Sequence, residues 1–347
     1  MKTILVTGAA DFIGSNLVLN LLNTASNMEI VGIDNLNDFY DVRLKEYRLH
    51  QIDNCAKKTG SKWIFCKGGI DNKDFVMSLF AEFNFNIVVN LAAQASARYS
   101  VTNPDAYINS NINGFYNILE ACRHYPVEHL VYASSSSVYG NNTKIPFSEE
   151  DKVDNPVSLY AATKRTNELL AYAYSQLYSI PCTGLRFFTV YGPCGRPDMA
   201  YFGFTDKMVK REKYKIFNYG NCKRDFTYID DIVKGVHLVI DHPPQKSVGE
   251  DGMPIAPYKI YNIGNNHPEN LLTFVTILKE ELIRARVLPQ DYDFNRYIEL
   301  VPMQPGDVPT TYANTSALEH DFGFKPSTSL RDGIRKFAEW YKEFYGV

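Results

Sequence analysis

Tyr160 and Lys164 stand four residues apart in a stretch, Ser158 to Tyr178, rich in Ala, Leu, Lys and Glu. Helical geometry places such a pair on one face about one turn apart, so a phenol and an ammonium project into the same space. The ammonium lowers the pKa of the neighbouring phenol, and a tyrosinate can then take a proton from a hydroxyl near neutral pH. The pattern is weak by itself. The chain has 24 tyrosines, and a second such pair, Tyr219 and Lys223, falls in a segment of turn-like composition. Taken alone, Tyr160 and Lys164 read equally well as the face of an ordinary amphipathic helix.

A pair of this kind works only on a scaffold that holds a reaction partner over it, and the chain opens with one. Residues 2 to 7 are a short apolar run, followed by Gly8, Asp11 and Gly14 and then an apolar-periodic helix from about Ser15 to Leu22. The run is too short for a secretion signal and reads as a buried strand. Strand, glycine turn and helix form the first unit of a dinucleotide-binding fold: Gly8 permits the tight turn, Gly14 lets helix and strand pack, and the helix N-terminus faces a pyrophosphate. No Gly-Lys-Ser/Thr follows, which excludes the phosphate-binding loop of nucleotide triphosphatases. A second strand, Glu29 to Ile33, ends at Asp34, about twenty residues past Gly14, where a carboxylate can accept from ribose hydroxyls and repel a 2′-phosphate. The other reading of Asp34 is a solvated acid at a strand end.

Further strand-like runs at Trp63 to Cys66, Ile87 to Ala92, Leu130 to Ser134 and Cys182 to Phe187 alternate with helical stretches near 73 to 83, 105 to 124 and 158 to 178. The alternation predicts an α/β fold with a doubly wound parallel sheet, whose ligands sit beyond the carboxyl ends of the strands. Leu91 to Gln94 and Ala133 to Ser137 lie at such ends. After Phe187 the alternation is lost, so residues 1–187 read as a Rossmann-type nucleotide-binding domain, with a segment around 225–242 returning to it, and 188–347 as a smaller α/β substrate-binding domain. Arg186, Arg196, Arg211 and Arg224 fall within forty residues and offer forked donors for phosphate or carboxylate, with surface ion pairs as the alternative for each. Residues 243 to 257 read as an exposed loop, and Leu330, Ile334, Phe337, Ala338 and Tyr341 as the apolar stripe of a last helix.

Bulk composition narrows the class. A content of 45% hydrophobic and 22% charged residues indicates a folded core, and a net charge of −3 without a polybasic run argues against nucleic acid or a membrane surface as the main partner. No apolar run approaches the ~18 residues of a membrane span. Six cysteines without C-x-x-C spacing suit reduced thiols in the cytoplasm, and seven histidines without ligand spacing predict no structural metal.

Taken together, Gly32–Asp38, Leu91–Ala95 with Arg98–Ser100, Ala133–Gly140, the Tyr160/Lys164 segment, Tyr191–Met199, Arg224–Asp231 and Gln304–Asp307 resemble the extended short-chain dehydrogenase/reductase family, in its NAD-dependent epimerase/dehydratase branch, and there the bacterial UDP-glucuronate 4-epimerases. The likeness runs from Thr3 to about Leu330. It implies NAD as cofactor and interconversion of UDP-glucuronate and UDP-galacturonate through a transient 4-keto sugar. Tyr160 would take the proton of the 4-hydroxyl, Lys164 would tune Tyr160 and hold the nicotinamide ribose, and Ser135 with Ser136 would serve the 4-oxygen. The cofactor would lie along Gly8, Asp11, Phe12, Ile13 and Gly14, then Asp34, Asn35 and Asn37. Ile70, Leu91, Ala92, Ala93 and Gln94 would continue its groove, closed by Asn111, Ala133, Ser134 and Phe187. Substrate would meet Gln94, Arg98, Ser135, Ser137, Thr189 and Asp307, with Arg196 matched to the uronate carboxylate and Arg224 to the UDP phosphates. The resemblance also implies a homodimer.

Related decarboxylases and dehydratases carry a carboxylic acid two residues before the Tyr of Val-Tyr-Gly; this chain has Ser137 there, which favours epimerisation. Three positions depart from the family pattern. Asp11 stands at the middle glycine and would repel the pyrophosphate unless its side chain turns to solvent. Gly69 stands where an acid for the adenine amino group is usual, and Cys194 where a tryptophan precedes Gly195. The alternatives left open are a 4-epimerase of another UDP-hexose or UDP-hexosaminuronate, and a weak or inactive NAD-binding homologue.

Overall fold

Ile4, Leu5 and Val6 are wholly shielded from solvent in β1 (Lys2–Thr7), as a strand covered on both faces of a parallel sheet requires. Around it the computed structural model, which describes residues 1–25, 27–303 and 310–347, forms two units. The first takes residues 1–142, 149–187 and 233–262, and the second 143–148, 188–232 and 263–347.

In the first unit β1 is followed by α1 (Phe12–Thr24), β2 (Met28–Asp34), α2 (Val42–Thr59), β3 (Lys62–Lys67), α3 (Lys73–Phe83) and β4 (Ile87–Asn90). Two single helical turns and a π-helical turn, Ile108–Asn113, lead into α4 (Gly114–His124), then β5 (His129–Ser135), a 3-10 turn Ser136–Tyr139, α5 (Leu159–Tyr178) and β6 (Cys182–Phe187). The strands run in the order β3-β2-β1-β4-β5-β6, every neighbouring pair parallel, with the strand Tyr258–Ile263 beside β6. This is the doubly wound order, and its direction reverses between β1 and β4, where such sheets bind ligands.

Helix α2 has no counterpart in the sequence reading. Its buried positions, Leu44, Lys45, Arg48, Ile52 and Ala56, lie at helical spacing, but two of the five are cations, so no apolar stripe is visible. Strand β4 stops at Asn90 rather than Ala92 because the Thr7 hydroxyl accepts from the N–H of Leu91 (3.1 Å) and Ala92 (3.0 Å), turning the chain beside Gly8. Segment 243–257 contains a short hairpin, Ser247–Val248 with Pro254–Ile255.

The second unit is built on β7 (Thr189–Tyr191) paired in parallel with β8 (Lys223–Tyr228), with Pro268–Asn270 and Thr310–Thr311 flanking β8. Residues 225–232 therefore stay with this unit, and 233–262 is the stretch that joins the first. Asp225 is wholly buried and accepts from the N–H of Asn265, Asn266 and Ala313, which ties those loops to β8. An aromatic cluster of Tyr201, Phe202, Phe337, Trp340 and Tyr341 joins α6 (Ala200–Lys210) to the C-terminal helix Leu330–Tyr345.

Candidate active site

Two glycines shape the turn after β1. Gly8 has φ +69°, and a Cβ there would come within 3.0 Å of the Ala92 nitrogen; one on Gly14 would lie 2.1 Å from the Gly8 oxygen. Neither position admits a side chain, so the backbone forms a close-fitting cradle at the N-terminus of α1, where Phe12 and Ile13 open the helix. Asp34 ends β2 within this cradle: its carboxylate accepts from Ala10 (3.2 Å) and Leu36 (2.8 Å), and Lys45 Nζ lies 3.8 Å away. Burial pushes the Asp34 carboxyl upward, with Lys45 and the two N–H groups working against it. Lys45 also donates to Asn37, whose N–H in turn bonds Asn35.

Asp11 is the N-cap of α1: its carbonyl accepts from the Ser15 N–H at 2.9 Å, yet its side chain makes no capping hydrogen bond. Its Oδ1 accepts from Tyr40 Oη at 2.6 Å and lies 3.5 Å from Nη1 of Arg48, which is 1% exposed. The side chain, 34% exposed, thus turns to a buried arginine. A hydrogen bond to a charged group contributes roughly 1.5–3 kcal/mol against about 1 for an N-cap, so the Tyr40 bond, with the Arg48 charge beside it, outweighs the helix terminus. Burial first and the Asp11 charge second push the Tyr40 phenol far above its usual pKa, so it remains a donor.

On the other side of the switch point, Asn111 in the π-helical turn exchanges two hydrogen bonds with the Gln94 backbone (2.7 and 3.0 Å) and donates to Thr163 Oγ1 of α5 (3.0 Å). The Leu91–Gln94 segment is thereby tied to the helix that carries Tyr160. Beyond it, Ser96 holds φ +95°, a strained value for a residue with a Cβ, while Tyr107 Oη donates to the Ala95 and Ser96 carbonyls; Arg98 follows on the surface. The Tyr107 ring packs edge-on against Tyr160, centroids 6.2 Å apart.

Helix α5 is capped by Ser158, which accepts from the Ala161 N–H at 3.1 Å. Lys164 is buried and its Nζ donates to the Ala133 carbonyl at 2.9 Å, so the ammonium is fixed at the carboxyl end of β5. There Ser135, paired in register with Phe187, caps the 3-10 turn opened by Ser136. Ser137 Oγ is buried with no hydrogen-bond partner among the described residues, a donor and acceptor set for a ligand hydroxyl. Ser134 points elsewhere, donating to Glu168 Oε1 at 2.6 Å. Arg186 also belongs to that interior: Glu168 receives both its Nε and Nη2, at 2.8 and 2.9 Å, so it is no anion receptor.

Within the second unit, Thr189 opens β7 opposite Phe226, and Arg224 lies on β8 with Nη1 on the Lys223 carbonyl. Arg196 makes a forked pair with Asp198, at 2.9 and 2.6 Å. Arg211 caps the end of α6 in the left-handed region. Asp307 lies outside the described residues.

A glycine cradle at a helix N-terminus, a carboxylate closing the next strand and a Tyr-Lys helix face suit a dinucleotide and a hydroxyl-bearing substrate, and the sequence model of the NAD dependent epimerase/dehydratase family matches residues 4–264. The chain belongs to the NAD dependent epimerase/dehydratase family. It is 49% identical to Protein CapI of Staphylococcus aureus over 99% of both chains. With UDP-glucuronate 4-epimerase 4 of Arabidopsis thaliana it shares 43% identity over 99% of this chain and 76% of that one. The crystal structure of UDP-glucuronic acid 4-epimerase from Bacillus cereus, in complex with UDP-glucuronic acid and NAD, covers 99% of this chain with TM-score 0.83 and 29% identity. Membership of the epimerase/dehydratase family, the doubly wound sheet and NAD as cofactor are thus the expectations that hold.

For this family member the structure adds residues that the sequence did not single out. Tyr40 and Arg48 hold the Asp11 carboxylate, Lys45 lies against Asp34 and Asn37, and Tyr107 and Asn103 brace the segment after β4. Asp71 is another: its Oδ1 lies 2.2 Å from where a Cβ on Gly69 would be, so a carboxylate occupies the space left by the absent acid. Ile70 beside it is buried and its carbonyl accepts from Asn117. Among the described residues no helix is long and apolar enough to cross a membrane.

Proposed function

We propose that this NAD-dependent nucleotide-sugar epimerase inverts C4 of UDP-glucuronate and UDP-galacturonate, with Tyr160 moving the proton of the 4-hydroxyl. The observation that carries the reading is the placement of Tyr160 and Lys164 on one face of α5, with Lys164 anchored at Ala133 beside the serine run. NAD, when bound, accepts the hydride from C4 and gives it back. Tyr160 takes the hydroxyl proton as the hydride leaves and returns it after the flat 4-keto sugar has turned over. Ser135, Ser136 and Ser137 offer hydroxyls to the 4-oxygen, and Ser137, standing in place of an acid, leaves chemistry at C5 without a catalyst. Relatives named as UDP-glucuronate 4-epimerases support the choice of sugar.

One observation favours a second reading, a 4-epimerase of a neutral UDP-hexose: both forks of Arg196, the residue matched to the uronate carboxylate, are engaged by Asp198. An NMR time course with UDP-glucuronate and with UDP-glucose, following the anomeric and H4 signals, separates them. Approach to a fixed ratio of UDP-glucuronate and UDP-galacturonate without accumulating NADH supports the first; turnover of UDP-glucose alone supports the second, and an unchanged spectrum with both sugars overturns both.

A homodimer is part of the proposal. Leu169, Tyr172, Leu177 and Tyr178 of α5 and Tyr116 of α4 are exposed large hydrophobics, with Leu177 at 70%, a surface more apolar than a solitary helix pair needs. Sedimentation velocity checks it, and a monomer at micromolar concentration removes it. The cytoplasm is the proposed compartment, in keeping with six free thiols.

A further inference from the structure

We propose that Tyr40 and Arg48 are positioning residues for the pyrophosphate of NAD, acting through Asp11. In a doubly wound sheet the second glycine of the first turn lets the backbone approach the pyrophosphate, whose oxygens take the N–H groups at the helix N-terminus. A carboxylate at the N-cap seeks those same N–H groups, so an untethered Asp11 competes with the cofactor twice, by occupying its donors and by its charge. Here the carboxylate makes no bond to α1. Tyr40 Oη donates to it at 2.6 Å from the loop after β2, and Arg48 supplies a buried positive charge 3.5 Å away from α2. Arg48 Nη1 also donates to Tyr40 Oη at 2.5 Å and to the Ala10 carbonyl at 2.9 Å, so one guanidinium fixes the tether and the turn itself. The chain thus carries an acid at a position that calls for glycine and, in the loop after β2 and in α2, the two groups that hold it off the phosphate site.

The inference concerns NAD and not the sugar, so binding measured without sugar tests it separately from the substrate reading. Calorimetry of NAD binding to the full chain, freed of copurified nucleotide, is the experiment. Tyr40→Phe is expected to raise the Kd about tenfold by releasing Asp11, and Asp11→Gly added to it to bring the Kd back to within about twofold of the parent. Arg48→Gln breaks the tether from its other side and also frees the Ala10 carbonyl, so the same added Asp11→Gly is expected to rescue it in part, which keeps the test available should either single variant fold poorly by thermal melting without NAD. A structural role alone is not rescued by deleting the acid. An unchanged Kd in both single variants, or double variants that bind as weakly as the singles, overturns the proposal.

Discussion

Two arginines in this chain grip a carboxylate with the same fork, and they stand in opposite surroundings. Arg186 and Glu168, in the first unit, are 2% and 0% exposed; Arg196 and Asp198, in the second, are 16% and 22% exposed. The buried pair is embedded in further bonds, with Ser134 and Arg165 on Glu168 and Tyr139 on Arg186, and it links α5 to β5 and β6. Burial works against the Arg186 charge, and Glu168 outweighs it, holding the guanidinium above its ordinary pKa. Removing a partner from such a pair leaves a charge stranded in low dielectric, whereas a partly exposed pair exchanges partners with water or a ligand at lower cost. Identical geometry therefore serves architecture in one place and suits recognition in the other.

The largest effect expected from breaking this contrast is at Glu168. Glu168→Gln leaves Arg186 buried without a counter-charge and should cost about 3–5 kcal/mol in urea unfolding, together with most activity, because α5 carries Tyr160. Arg186→Met should cost less, since Glu168 keeps Arg165 and Ser134. Losses near zero in both variants would show that the pair does not hold the helix.

His129 sharpens the same rule, being a buried titratable group held without a forked partner. Nε2 meets Thr183 Oγ1 at 2.8 Å and Nδ1 meets the Ile240 carbonyl at 3.1 Å, an arrangement satisfied by one neutral tautomer. Burial lowers its pKa to about 4 from 6.5, with Asp241 opposing and His242 adding slightly. Between those values the unfolded chain binds a proton that the folded chain refuses, so stability falls as pH drops from about 6.5 to about 4, by ~3 kcal/mol over the full window. Urea midpoints at pH 7.5 and 5 measure it, and His129→Gln should flatten the profile. An equal slope in that variant assigns the acid loss to other groups.

How far the sequence carried differs between the same two settings. The glycine turn, Asp34, the alternating strands and the Tyr-Lys helix were legible because each depends on local chemistry: a glycine that no side chain can replace, an apolar run, a helical period. Helix α2 escaped because its buried stripe contains Lys45 and Arg48, whose burial makes sense only once Asp34 and Asp11 are seen against them. For the same reason composition alone leaves Arg186 open between an anion receptor and an ion pair; its partner lies eighteen residues away on another element, and sequence spacing does not show the pairing. Asp71 is not legible in the sequence because its carboxylate folds back over Gly69, which the side-chain conformation and not the position decides.

The solvent-facing pair yields the smaller effects. Arg196→Ala should change stability by less than about 1 kcal/mol, yet raise KM for UDP-glucuronate about tenfold while sparing UDP-glucose, if the guanidinium meets the uronate. The subtlest test is Asp198→Asn. Asp198 accepts from Nε and Nη2 of Arg196, so if the guanidinium meets the uronate, Asp198 competes with the substrate for the same donors. Asparagine presents one carbonyl oxygen and no charge, so the competitor weakens while the arginine keeps a neighbour to orient it. KM for UDP-glucuronate should then fall about two- to fivefold, less than the ~1.4 kcal/mol of a tenfold change. A rise in KM would mean that Asp198 aims the fork instead of contesting it, and the exposed pair would resemble the buried one in function as well as in geometry.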